Sequence, residues 1–196
     1  MFRDLVMDES VPKTATNLVY IIKANRIDQV ESKVIHSIFL KQPKRAETYW
    51  LLHVDKTDEP DRMDYKVTHI IPGILIRVDF HIGFKVEPKI NLFFREVLED
   101  MTESGEIKLE SSYDSLKKHQ IPADFRFILI DRVMPRDYKL SNLDTLTLTL
   151  HSFSRLICIS DVRALQLDTV NTIEEKVPIT IDQPVGRRIR RMATPE

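Results

Sequence analysis

Six histidines, His36, His53, His69, His81, His119 and His151, and one cysteine, Cys158, are the side chains best suited to metal ligation or nucleophilic attack. Their spacing supports neither. No His-Glu-x-x-His run sets two imidazoles on one helix face, and the histidines are scattered with no clustered set of carboxylate ligands, so scattered surface or core roles are expected and no metal site. Serine, histidine and aspartate occur as they do in almost any chain, but the Gly-x-Ser-x-Gly elbow that would expose a nucleophilic serine is missing. Cys158 lies beside Leu156, Ile157 and Ile159, the setting of a buried, inert thiol rather than a reactive one. Neither of the glycine patterns that cradle phosphates occurs, and four glycines are few for 196 residues. These residues predict no enzyme and no cofactor.

Binding chemistry is better represented. In open α/β sheets ligands sit beyond the carboxyl ends of the strands. If Leu18 to Ile22 is a strand, Lys23, Ala24, Asn25 and Arg26 lie at such a mouth, and His53 joins them if the next strand is a neighbour. The plainer reading is that Asn25 and Asp28 turn the chain into a helix. Two basic clusters stand apart: Lys41, Lys44 and Arg45, and the tail arginines Arg187, Arg188, Arg190 and Arg191. On its own, such a tail reads as a solvated segment.

The elements that must position these side chains follow from hydrophobic period. Leu18 to Ile22 is a short apolar run bounded by Pro12 and Asn25, the pattern of a buried strand. Asp28 and Glu31 suit a helix start, Ile27, Val30, Val34, Ile35, Ile38 and Phe39 recur at helical spacing, and Pro43 stops the helix. Glu47 to Asp55 reads as a strand, followed by a charged loop to Met63. Tyr65 to Ile71, a turn at Pro72-Gly73, and Ile74 to Phe84 form an antiparallel pair. In its second member Ile74, Ile76, Val78, Phe80, Ile82 and Phe84 share a face; Arg77, Asp79 and His81 take the other, to be solvated or covered by polar partners. Pro88 suits the first turn of a helix whose stripe is Ile90, Phe93, Phe94, Val97, Leu98 and Met101. Ser104 to Ile121 reads as an irregular loop with a turn of helix, and Phe125 to Asp131 as another strand. Leu143 to Leu165 fits both periods. Val177 to Ile181 is an edge segment, marginal because of Pro178. The fold expected is α/β: a mixed β-sheet with an antiparallel hairpin and helices packed on the sheet.

Composition sets the outer limits. A chain of 196 residues, 42% hydrophobic, can bury one core. Its 29 basic and 30 acidic residues create no global field toward nucleic acid. One cysteine excludes an internal disulfide and fits a reducing compartment. The densest apolar runs, Leu18 to Ile22, Ile70 to Ile76 and Phe127 to Ile130, fall far short of the roughly 20 residues that a spanning helix needs. No signal peptide is apparent in Met1-Phe2-Arg3-Asp4.

The strand ending in Lys23-Ala24-Asn25, the helix reaching Lys41-Gln42-Pro43-Lys44-Arg45, the strand Tyr49 to Val54, and the runs Gly83-Phe84-Lys85-Val86-Glu87-Pro88 and Asp124-Phe125-Arg126-Phe127 together resemble the C-terminal domain of bacterial Kup potassium uptake transporters. These motifs are structural, and none is catalytic. The resemblance implies residues 1–13 as a linker from an absent membrane domain, 14–183 as a cytoplasmic α/β domain and 184–196 as a basic tail. It implies a regulatory or assembly module on the cytoplasmic side of the membrane, serving a proton-coupled transporter without conducting ions itself. Implied partners are the membrane domain of the same transporter, a second copy in a homodimer, and an adenine nucleotide or cyclic dinucleotide at Lys23, Asn25, Arg26 and His53. The arginine tail would meet anionic lipid headgroups, each charge contributing on the order of 1 kcal/mol. The rival expectations are a free-standing adenine-nucleotide-binding α/β regulatory protein and an enzyme whose site is assembled from distant residues.

Overall fold

Asn17–Ile22, buried at every position, forms β1 near the middle of a six-stranded sheet in a computed structural model of the chain. The structure describes residues 1–23, 32–111, 113–119, 121–133 and 172–178. The other strands are β2 (Thr48–Thr57), β3 (Met63–Ile71), β4 (Leu75–Gly83), β5 (Phe125–Val133) and β6 (Thr172–Pro178). Their order is β3-β4-β2-β1-β5-β6, with every pairing parallel except the β3/β4 hairpin. The mixed sheet and its hairpin are those expected from the sequence.

Helices are α1 (Phe2–Met7), α2 (Ser32–Ile35), which passes directly into a π-helical segment His36–Lys41, α3 (Ile90–Glu103) and α4 (Asp114–Lys117). The two faces of the sheet are covered differently. On one, Val19, Ile21, Trp50, Leu52, Ile76 and Val78 pack against α3. Phe94 of α3 meets Trp50, Phe125 and Phe127 with ring centroids 5.3, 5.8 and 6.0 Å apart, all edge-on, an arrangement that favours aromatic quadrupoles. On the other, Leu18, Tyr20, Tyr49 and Leu51 pack with Val34, Ile38 and Leu5. A parallel pair needs a crossover, and placing successive crossovers on opposite faces buries both sides of β1.

Several local expectations change. The helix expected over residues 27–39 is described only from Ser32, and it loosens into a π-helical segment that ends, as expected, ahead of Pro43. Pro88 precedes the Lys89 cap and so lies just outside α3. β6 begins at Thr172, five residues before the edge segment read at Val177, because Thr172-Ile-Glu-Glu-Lys carries too little apolar signal to mark a strand. Residues 143–165 and Cys158 lie outside the described residues. Segment 1–13 contains α1, whose Phe2 stacks edge-on with Phe39 and Tyr49, each at 5.1 Å. Arg45 donates from Nε to the Val6 carbonyl oxygen at 3.0 Å, tying this segment down further.

Candidate functional site

Parallel pairing brings the carboxyl ends of β1 and β2 together, so Ile22 stands beside His53 in register, His53 beside Asp79, and Asp79 beside Lys66. His53 is buried, its Nδ1 donating to the Ile22 carbonyl oxygen at 3.4 Å. Lys23, the next residue along β1, is exposed. β1 and β2 are thus neighbours, as the expectation required, but His53 lies inside β2, which continues four residues past it to Thr57, so only Lys23 follows a strand end. Asn25 and Arg26 lie outside the described residues, as do Arg187, Arg188, Arg190 and Arg191.

Beside His53 the structure adds a pair that the alternation in β4 only half revealed. Arg77 is 1% exposed and Asp79 7%, so the solvated alternative for this face does not hold. Arg77 donates from Nε to Oδ1 and Oδ2 of Asp79 at 2.9 and 3.1 Å, and from Nη2 to Oδ1 at 2.6 Å. Such fork geometry holds a guanidinium in a setting too dry for an unpaired charge. His81, one step further, bonds through Nδ1 to Asp64 at 2.7 Å, and this bond together with the larger effect of Arg62 holds the Asp64 carboxyl below its usual range. The signal was an Arg-x-Asp spacing, which puts two opposite charges on one strand face.

A second polar cluster, on the α2 side of β1, was not legible. Glu175 of β6 is buried; its Oε1 lies 3.1 Å from Lys44 Nζ, and its Oε2 accepts from Ser37 Oγ at 2.7 Å. Lys44 also donates to the Ser37 carbonyl oxygen at 2.6 Å, and Lys41 stands 4.0 Å from Oε2. Tyr20 Oη and Ser37 Oγ are 3.4 Å apart. Burial, with the Glu175 charge adding, drives the Tyr20 hydroxyl well above its usual range despite the Ser37 contact. Two members of the basic run are thus turned inward, Lys44 buried on Glu175 and Arg45 on the N-terminal segment, while Lys41 is exposed.

These clusters offer fixed charges and hydrogen-bond donors. Among the described residues no group of three or more histidine, cysteine, aspartate or glutamate side chains is placed to hold a metal ion. Nor is any described helix long and apolar enough to cross a membrane.

Comparison with known proteins adds identity to this geometry. Residues 15–181 match the family model described as the K+ potassium transporter C-terminal domain. A protein of Cytophaga hutchinsonii named "Probable potassium transport system protein Kup" is 42% identical over 98% of this chain and 29% of its own length. Proteins of the same name from Flavobacterium psychrophilum and Flavobacterium johnsoniae are each 41% identical, over 92% and 96% of this chain and 28% and 29% of their own lengths. The chain thus spans less than a third of these curated relatives. No solved structure matches it.

Proposed function

This chain belongs to the potassium transporter C-terminal domain family, matched over residues 15–181, and from that membership we propose that it is the cytoplasmic regulatory and assembly domain of a proton-coupled potassium uptake transporter. The observation that carries the reading is the near full-length match of this chain to one part of relatives named for potassium transport. The described residues hold no helical ion path, which is consistent with conduction by the remainder of such a transporter and with a modulating role for this part. A sheet with both faces covered suits that role, because a rigid body can transmit a small displacement to whatever is joined to it. Assembly as a homodimer and contact of the arginine tail with anionic headgroups belong to the same proposal.

The test is rubidium or potassium uptake in a bacterial strain lacking its own uptake systems, comparing the full-length transporter with one ending before this domain. Equal insertion but altered uptake, abolished in both by a protonophore, is the expected result. Identical uptake rates would remove the regulatory role, and insensitivity to the protonophore would remove the coupling.

Regulation further requires a ligand that distinguishes two states of the transporter, since equal affinity for both shifts nothing. Such a ligand is proposed beside Lys23, where β1 ends next to His53 of β2, and its proposed class is an adenine nucleotide or cyclic dinucleotide. Calorimetric titration with ATP, AMP and cyclic di-AMP reads it directly. Saturable heat weakened by Lys23→Ala supports the site, and the absence of heat leaves assembly alone.

A further inference from the structure

At the sheet edge farthest from β6, strand β3 and helix α3 leave an open groove lined by Met63, Tyr65, Phe80, Ile82 and Phe93, with the carboxylates of Asp64 and Glu96 among its walls. Its apolar lining is only partly covered: Met63 is 59% exposed and Tyr65 39%. Helix α3 adds Glu99, Asp100 and Glu103 in its last turns, with no basic residue there. Negative side chains at that end oppose the helix dipole, which is already negative where the last carbonyls are unsatisfied. One of these carboxylates, Asp100, accepts from the Tyr65 hydroxyl, and that hydrogen bond is the largest cause pushing the Tyr65 pKa up to about 12. The groove therefore combines exposed apolar surface with an acidic margin whose electrostatics are unfavourable by themselves and improve against a cation.

Two features decide the occupant. β3 is an edge strand, but Lys66 and the register irregularity between His69 and Ile71 are devices that resist addition of another strand. A second copy related by a twofold axis through this groove would set its acidic margin against the same margin, which repels. A partner of opposite charge and mixed apolar character is required. Cytoplasmic loops next to membrane helices carry an excess of lysine and arginine, and tryptophan and tyrosine are enriched where those helices meet the interface.

We propose that the groove between β3 and α3 receives a basic juxtamembrane segment of the transporter's own membrane body, its apolar side chains against Tyr65 and Phe93 and its cations facing Glu96, Glu99 and Asp100. This rests on the reading of the chain as a transporter domain and supplies the contact through which that domain acts.

The experiment places the photo-crosslinker p-benzoylphenylalanine at Met63 of the full-length transporter in membrane vesicles and maps the linked peptide by mass spectrometry. The expected product is a lysine- or arginine-rich segment flanking a membrane helix of the same protein. Its yield falls about fivefold when Glu96→Arg and Asp100→Arg are combined, the size expected from reversing two exposed contacts. Both positions are exposed, and a single cooperative melt of the variant confirms the fold, whichever way its midpoint moves as the helix-end charge is reversed and the Tyr65 hydrogen bond is lost. Linkage to the same groove of another copy, linkage to residues 184–196, or no linkage at all overturns the proposal. So does a yield indifferent to the charge reversals. The uptake comparison is independent: unchanged uptake on truncation with the crosslink present defeats the functional reading alone, and altered uptake without the crosslink defeats the docking site alone.

Discussion

A carboxylate buried as deeply as Glu175 needs a cation, and Lys44 supplies one at 3.1 Å while Ser37 occupies the second oxygen. The pair joins the chain just beyond the π-helical segment to the last described strand. In water such pairs contribute little, but here both side chains are about nine-tenths enclosed, so removing one partner leaves a charge with nowhere to solvate. Lys44→Met is expected to cost about 3 kcal/mol. The double change Lys44→Met with Glu175→Leu should recover most of that loss, since an apolar pair of similar volume carries no desolvation penalty. Urea unfolding of the four members of the cycle measures it; losses that simply add would show that the two side chains act independently. Sequence reading reached Lys44 only as part of a basic run, because the charge that neutralises it lies more than a hundred residues away.

Among the elements, the end of β4 shows why a motif legible in the sequence has the residues it has. A Cβ placed on Gly83 would overlap the backbone oxygens of Glu59 and Pro60. The same loop is held by Gly83 N–H donating to the Arg62 carbonyl at 2.8 Å and Lys85 N–H donating to Pro60 at 3.1 Å. Gly83→Ala must push that backbone away and is expected to cost about 1–3 kcal/mol. A thermal melt that does not move would show that the loop yields freely. The Asp124-Phe125-Arg126-Phe127 run has a similar explanation: the Asp124 carbonyl accepts from the Asn17 backbone N–H at 3.1 Å, Asn17 Oδ1 accepts from Trp50 Nε1 at 3.0 Å, and Phe125 and Phe127 close on Phe94. β6 lacks any such signature, because a strand with two consecutive acids, Glu174 and Glu175, looks like a loop until its partner strand is known.

For the whole molecule, strand order predicts where stability resides. β1 and β2 are paired on both sides, with β1 buried at every position and β2 from Tyr49 to His53, whereas among the described residues β3 and β6 are each paired on one side. Amide hydrogen exchange of this chain should be slowest in β1 and β2 and faster in β3. Protection of β3 equal to that of β1 in the isolated chain would mean that something already covers that edge, contrary to the open groove described here. In the full transporter, protection arising at Met63 and Tyr65 is the counterpart expected from docking.

Among the described residues, the amino-acid sequence by itself determined the strands between Leu18 and Asp131, the antiparallel hairpin, the apolar stripe of α3 and the family, because each depends on periodicity or short motifs that local chemistry writes within a few dozen residues. It also placed Lys23 at the end of β1, whereas His53, expected at the end of its strand, lies inside β2. Only the tertiary structure decided strand order, and with it the burial of Arg77 on Asp79, the pairing of Lys44 with Glu175 and the acidic groove between β3 and α3. Each of these joins residues brought together by pairing or packing, and an isolated strand or helix does not encode which neighbour will cover its polar face.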